Sequence, residues 1–241
     1  ASPQVTPELI LDEDSTLLVL NKPPGWFSVP NPWDMLGNLE VALNRFLSER
    51  DGERPPIHLV HRLDRDTSGV LVVSKDNEAN AKFQQFFNAD RVHKTYQAWA
   101  AGSPEWDAIE VVTGHSRGEN GIWRVYPAAM IGERYGPNSR TIREARTTFR
   151  VLRRGRQATL VEAELHTGRT HQIRLHLHHL KHPVLGDGRY GEVMEVGGLA
   201  LPHHLLHAAH IILPHPTRSM VLDITAPPPP LWAAVAETQV G

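Results

Sequence analysis

Residues 61–69 read His-Arg-Leu-Asp-Arg-Asp-Thr-Ser-Gly and set two carboxylates, Asp64 and Asp66, among His61, Arg62 and Arg65. A carboxylate flanked by guanidinium groups stays ionised, because the neighbouring positive charge pushes its pKa down. An ionised and positioned carboxylate can act as a nucleophile or as a base. Asp64, Asp66, Thr67 and Ser68 are also good turn-forming residues, and Gly69 permits a tight turn. A polar loop therefore accounts for the residue types, though not for the basic groups that crowd the two carboxylates.

A second run, Thr167-Gly168-Arg169-Thr170-His171-Gln172-Ile173-Arg174-Leu175-His176, reads as a strand end, a glycine turn and a helix start capped by Thr170. A helix N-terminus near two arginines suits an anion, and an ordinary strand–helix junction has the same look. Gly114-His115-Ser116-Arg117-Gly118 fits the spacing of a serine-hydrolase elbow. That chemistry needs a strand, a sharp turn and a helix in succession, whereas a strand-like run follows here. The fifteen histidines fall partly into two groups, His176–His182 and His203–His210. Neither group shows HExxH, and no carboxylate interrupts the first, so no metal site is expected.

The formal net charge of −2 averages over unlike parts. Residues 134–176 hold ten arginines against three acids, a local balance of +7 with no lysine, while residues 1–60 stand at −5. Such asymmetry within one chain points to a side facing a polyanion. Arginine suits that role better than lysine, since its planar fork binds phosphate in two places and stacks on bases. The chain has no cysteine, which excludes disulfides, thiol catalysis and cysteine metal sites. Ala1–Asp14 carries four acids and no base, which argues against a secretory signal. No apolar run reaches the roughly 18 residues of a membrane helix.

The elements that must hold these residues read mostly as strands. Ser15–Asn21, Gly69–Ser74, Lys94–Ala100, Ile109–Thr113, Ile122–Tyr126, Glu144–Leu152, Gln157–His166 and Leu205–Leu213 are short, rich in β-branched, aliphatic and aromatic residues, and bounded by turn formers. Helices are expected after Asn38 and Asn77 as caps, and over Thr170–Leu180. Helices and strands do not alternate regularly, so the expectation is an α+β fold with a mixed, mainly antiparallel sheet and peripheral helices. Residues 1–241 read as one domain with two lobes around one cleft, and Pro227–Pro230 lies too near the end to mark a boundary.

Four segments in order resemble the RluA family of pseudouridine synthases: Asn21-Lys22-Pro23-Pro24-Gly25; His61-Arg62-Leu63-Asp64 with Thr67-Ser68-Gly69; Lys94-Thr95-Tyr96 with Ala98; and Thr167–Arg174 continuing through His182-Pro183-Val184-Leu185-Gly186-Asp187. The resemblance spans roughly residues 10–225 and implies an isomerase that converts uridine in RNA to pseudouridine, on a sheet bent around a basic cleft. It places Asp64 at the catalytic aspartate, which attacks the sugar at C1′ or abstracts a ribose proton. It places Tyr96 at the tyrosine that stacks on the base and takes the C5 proton, and Arg174 at the residue that ion-pairs with the aspartate. Arg62 matches the arginine that replaces the flipped nucleotide, with Lys22 and Pro23 as support and Leu175 as apolar packing. His61, Arg143, Arg146 and Arg169 are further candidate RNA contacts. The resemblance implies no cofactor and no metal, a ribosomal or transfer RNA stem-loop as partner, no obligate protein partner, a monomer, and a cytoplasmic setting. Nothing like the small amino-terminal RNA-binding domain of many relatives is expected before Asn21. The alternative is a catalytically silent RNA-binding protein on the same fold.

Overall fold

The computed structural model describes residues 3–30, 36–52, 55–118, 121–136 and 139–240. The chain divides into two compact units, each assembled from segments distant in sequence. One unit comprises residues 1–94 and 207–229, the other residues 95–206 and 230–241. The proline run Pro227–Pro230, expected to be a poor boundary, is where the chain passes from the first unit back to the second. Proline fixes φ and carries no N–H, so a run of it suits a passage outside any ladder.

In chain order the first unit contains β1 (Ile10–Glu13), β2 (Leu17–Lys22), α1 (Leu39–Asp51), β3 (His58–Leu59), β4 (Ser68–Ser74) and α2 (Asn77–Asn88). The chain enters the second unit within β5 (His93–Ala101). There follow β6 (Ala108–Arg117), β7 (Trp123–Tyr126), a small hairpin β8 (Arg134–Tyr135) and β9 (Arg140–Thr141), the long β10 (Arg143–Arg154), β11 (Ala158–Leu165) and α3 (Gln172–His179). A second small hairpin, β12 (Glu195–Val196) and β13 (Leu199–Ala200), precedes the return through β14 (Leu206–Pro214) and β15 (Val221–Thr225) to the first unit. The last element, α4 (Leu231–Thr238), belongs to the second.

The first unit is a mixed sheet. β2 runs antiparallel to β1 and β4, while β4 lies parallel to β14, which also pairs antiparallel with β15. All seven residues of β4 are buried, which is why Gly69–Ser74 reads as an unbroken apolar run rather than an alternation. Its core joins Leu17, Val19, Val70, Val72, Phe83, Ile211 and Leu213. The second unit is antiparallel throughout in the order β5-β11-β10-β6-β7. Its separate core packs Trp99 with Leu185, Leu205, Trp232 and Val235. The fold is thus α+β with a mainly antiparallel sheet, as expected.

Asn38 caps α1, its side chain accepting from the Val41 N–H. Two helix starts differ from expectation. Asp76, not Asn77, caps α2 by accepting from the Ala79 N–H at 2.7 Å. α3 begins at Gln172 rather than Thr170, and its N-cap position is His171, held at φ 58° with no side-chain cap. Thr170 stands one residue before the N-cap position; its carbonyl accepts from His115 Nε2, and the Gln172 side chain ties the turn. The Gln172 carbonyl accepts from the Arg169 N–H and the Thr167 hydroxyl, while its amide donates to Arg146 O and Thr147 Oγ1. Among the described residues no helix is long and apolar enough to cross a membrane.

Candidate active site

In the first unit, the segment from Asp64 to Thr67 closes as a turn, with the Thr67 N–H donating to Asp64 O at 3.2 Å. The turn is held from below by Lys22, the last residue of β2, which is 1% exposed. Its ammonium donates to Pro23 O at 2.9 Å, Arg65 O at 2.8 Å and Thr67 O at 2.9 Å. Three carbonyls match the three donors of an ammonium. Burial pushes the Lys22 pKa down to about 7, against the opposing pull of the Asp66 and Asp64 charges. Further ties come from the Gly25 N–H to Arg65 O at 2.9 Å and from Ser28 Oγ to Leu63 O at 2.9 Å. Asp64 is half-buried, while Arg65 grips Asp66 in two places and lies 5.7 Å over the Phe27 ring.

Beyond the turn the chain enters β4 through Ser68 and Gly69. Gly69 sits at φ 111°, and a Cβ there would lie 2.2 Å from Ala208 O on the parallel strand β14. Only glycine permits that approach. Ser68 Oγ lies 2.8 Å from His207 Nδ1, and His207 Nε2 lies 3.0 Å from Ala226 O. The carbonyl requires the proton on Nε2, so Nδ1 accepts from the serine hydroxyl. Arg62 is exposed and has no side-chain partner among the described residues. His61 turns its Nε2 to accept from the Val72 N–H at 3.1 Å and packs against Phe87. Burial, reinforced by the Lys94 charge, pushes its pKa down to about 3. The ring is therefore neutral and one nitrogen is committed within the unit, a role that the candidate RNA contact did not anticipate.

In the second unit, Tyr96 lies on β5 opposite Ala163 and is 8% exposed. Arg174 and Leu175 lie on the buried side of α3. Asp187 holds the Arg174 guanidinium side-on, accepting from Nε at 2.7 Å and from Nη2 at 2.9 Å. The same carboxylate accepts from the Arg189 and Tyr190 N–H groups. Burial raises the Asp187 pKa, but the Arg174 hydrogen bonds and charge outweigh it and leave the group below the usual carboxylate range. Asp187 escapes sequence reasoning as a partner of Arg174. Its mark in the sequence is its place at the end of the fourth segment, after Pro183-Val184-Leu185-Gly186. α3 itself is seated by His176, whose ring nitrogens lie 2.9 Å from Thr113 Oγ1 and 2.9 Å from Thr147 Oγ1.

The arginines of the rich span differ in their partners. Arg153 donates to Ala236 O and covers the Trp99 ring, Arg154 pairs with Asp107 and donates to Trp106 O, and Arg150 faces Glu162. These three have partners within their own unit. Arg169 donates Nε to Glu144 O at 2.8 Å, and Arg146 Nε lies 3.4 Å from Glu144 Oε1. Burial, together with the charge of Arg143, lowers the Arg169 pKa. Arg134, Arg140, Arg143 and Arg156 are exposed, with no side-chain partner among the described residues. Ser116 lies within β6, paired to Arg124 of β7, so the strand–turn–helix of a serine elbow is absent there. No group of three potential metal ligands occurs among the described residues.

The family model described as RNA pseudouridylate synthase matches residues 16–179. RNA pseudouridine synthase 1 of Arabidopsis thaliana is 33% identical, over 95% of this chain and 77% of that protein. Ribosomal large subunit pseudouridine synthase C of Vibrio vulnificus (strain CMCP6) is 37% identical, over 91% of this chain and 65% of that protein. Among solved structures, human RNA pseudouridylate synthase domain containing 4 superposes with a TM-score of 0.79 at 27% identity, covering 96% of this chain and 93% of that one. With a family model over more than half of its residues and relatives aligned along nearly its whole length, the chain belongs to the RNA pseudouridine synthases of RluA type, isomerases that act on RNA.

Proposed function

We propose that the chain isomerises one or more uridines of a ribosomal or transfer RNA stem-loop, with Asp64 as the carboxylate that starts the reaction. The observation that carries this reading is the clamp of three carbonyls on the Lys22 ammonium, which fixes the turn beneath Asp64. A side chain on a turn so held keeps its place through a reaction, and placement is worth orders of magnitude in rate.

A uridine stacked in RNA is out of reach and must be flipped, at a cost of about a few kcal/mol. Arg62, exposed beside the turn, fills the vacated place in the stack, and Tyr96 stacks on the extruded base. The N1–C1′ bond then breaks, either by attack of Asp64 on C1′ or after removal of a ribose proton by Asp64. The freed uracil rotates and C5 bonds to C1′ as the Asp64–C1′ ester breaks or as Asp64 returns its proton to the ribose; the C5 proton leaves by way of Tyr96 and a proton is gained at N1, so no net proton is consumed. No electron is gained or lost overall, so the chemistry calls for no redox partner. Arg174 supplies the cation that the resemblance pairs with Asp64, and Leu175 the apolar packing. Arg143, Arg146 and Arg169 hold RNA phosphates, and such contacts make binding salt-sensitive. The ribosomal targets printed for bacterial relatives support a ribosomal substrate and a cytoplasmic setting. One catalytic domain acting as a monomer, without a cofactor, completes the reading.

The test is a map of pseudouridines in ribosomal and transfer RNA from cells lacking this chain. Wild-type chain restores the missing modification and Asp64→Ala does not. Restoration by Asp64→Ala would contradict the assignment.

A further inference from the structure

An arginine in a site can serve as a free charge or as a directed donor, and the surroundings of Arg174 separate the two. Arg174 is 6% exposed and Asp187 1%, and the two side chains meet through both Nε and Nη2. A side-on pair of this kind fixes orientation as well as distance. It also cancels one charge with the other, so direction is the larger part of what Arg174 can offer beyond it. Tyr190 adds a third restraint, its ring centre lying 5.0 Å from the guanidinium carbon. Tyr190 is itself fixed at both ends. Its N–H donates to Asp187 Oδ1 at 3.2 Å, and its hydroxyl lies 2.7 Å from His171 Nδ1.

The backbone around this group is held against its own preference. His171 stands at φ 58°, a left-handed conformation that a non-glycine residue adopts only at a steric cost. Such strain persists where the surrounding contacts over-determine it. Gly186, immediately before Asp187, stands at φ 74°, and a Cβ there would lie 2.1 Å from His203 O. The segment that carries the carboxylate therefore has little freedom to follow a displaced arginine.

We propose that Asp187 is the positioning residue of Arg174, making its guanidinium a directed donor, with Tyr190 and His171 setting the plane of the fork. This rests on the role given to Arg174 above. The test compares the full chain with Asp187→Asn, Arg174→Ala and the double variant, by single-turnover release of tritium from RNA labelled at uridine C5. Asp187→Asn lowers the rate constant about ten- to a hundredfold while the half-saturating RNA concentration stays within about twofold. Added to Arg174→Ala, it costs less than about twofold more, because the two act as one. A folded Asp187→Asn with the wild-type rate overturns the proposal, as does a loss that multiplies in full onto Arg174→Ala. Should the Asn variant not fold, Asp187→Glu keeps the charge but moves it by one methylene. A lower rate with unchanged RNA saturation supports the proposal, and an unchanged rate overturns it. Wild-type activity in Arg174→Ala overturns the role of Arg174 itself, whereas loss there beside an unaffected Asp187→Asn overturns only the positioning.

Discussion

The turn that carries Asp64 and the helix that carries Arg174 each involve a buried cation, in opposite ways. Under Asp64 the cation is the support: Lys22 gives its three donors to backbone carbonyls and leaves the nearby carboxylates to other partners. At Arg174 the cation is the side chain being positioned, and a buried carboxylate supports it. Neutral acceptors fix a backbone without spending the charge of a neighbouring acid, whereas a carboxylate fixes a guanidinium at the cost of its free charge. A group that must attack or abstract fits the first arrangement, and a group that must point fits the second.

The largest expected effect breaks the first arrangement. Lys22→Met removes the ammonium and leaves three carbonyls to find new partners, so the turn moves and single-turnover tritium release falls about a hundredfold or more. Rate is the sharper readout here. Burying the ammonium costs stability, losing its hydrogen bonds costs it too, and the two changes oppose each other in a melting curve. RNA affinity measured by filter binding should change little.

The seat of the Arg174 helix responds to acid. Burial pushes the His176 pKa from 6.5 down to about 3, with the neighbouring His115 and His179 acting in the same direction. The unfolded chain therefore binds this proton at higher pH than the folded one, and the stability tied to a neutral His176 is lost as pH falls from about 6.5 towards 3. This ring alone makes the protein about 2 kcal/mol less stable at pH 5 than at pH 7 by linkage. Urea midpoints across that range check it, and His176→Gln flattens the dependence. An equal slope in the variant would place the acid sensitivity elsewhere.

The smallest effects sharpen the division among the arginines. Arg143→Ala weakens RNA binding severalfold and lowers the salt slope by about 0.7, the value for one phosphate contact on a single strand. Arg153→Ala, which loses a contact to the end of α4, leaves RNA affinity and slope unchanged and lowers the melting temperature instead. Equal effects of both on RNA binding would restore the span as a single polyanion-facing surface.

Much of this was legible in the sequence because it is local. The Asp64 segment, the glycine after it, the Asn38 cap and the major strands follow from turn chemistry and side-chain patterning over a few residues. The parts that were not legible depend on register and on distant partners. Whether Arg150 faces RNA or Glu162 is decided by the pairing of β10 with β11. Thr170 is a good cap by type, yet Gln172 and His171 fix the start of α3 through contacts with Arg146, Thr147 and Tyr190. The short helix α4 follows a proline run that reads as an ending. Its place comes from Trp232 and Val235 packing into the second unit's core, and a local pattern does not carry that contact.

The central claim is that the carboxylate of Asp64 starts the isomerisation. Tritium release from C5-labelled uridine RNA by purified Asp64→Ala tests it most directly, with RNA binding followed on the same preparation. The account predicts no release above background with RNA affinity kept within about threefold, since removing one carboxylate spares the phosphate contacts that dominate affinity. Release by the folded variant at a rate near that of the wild type would contradict it.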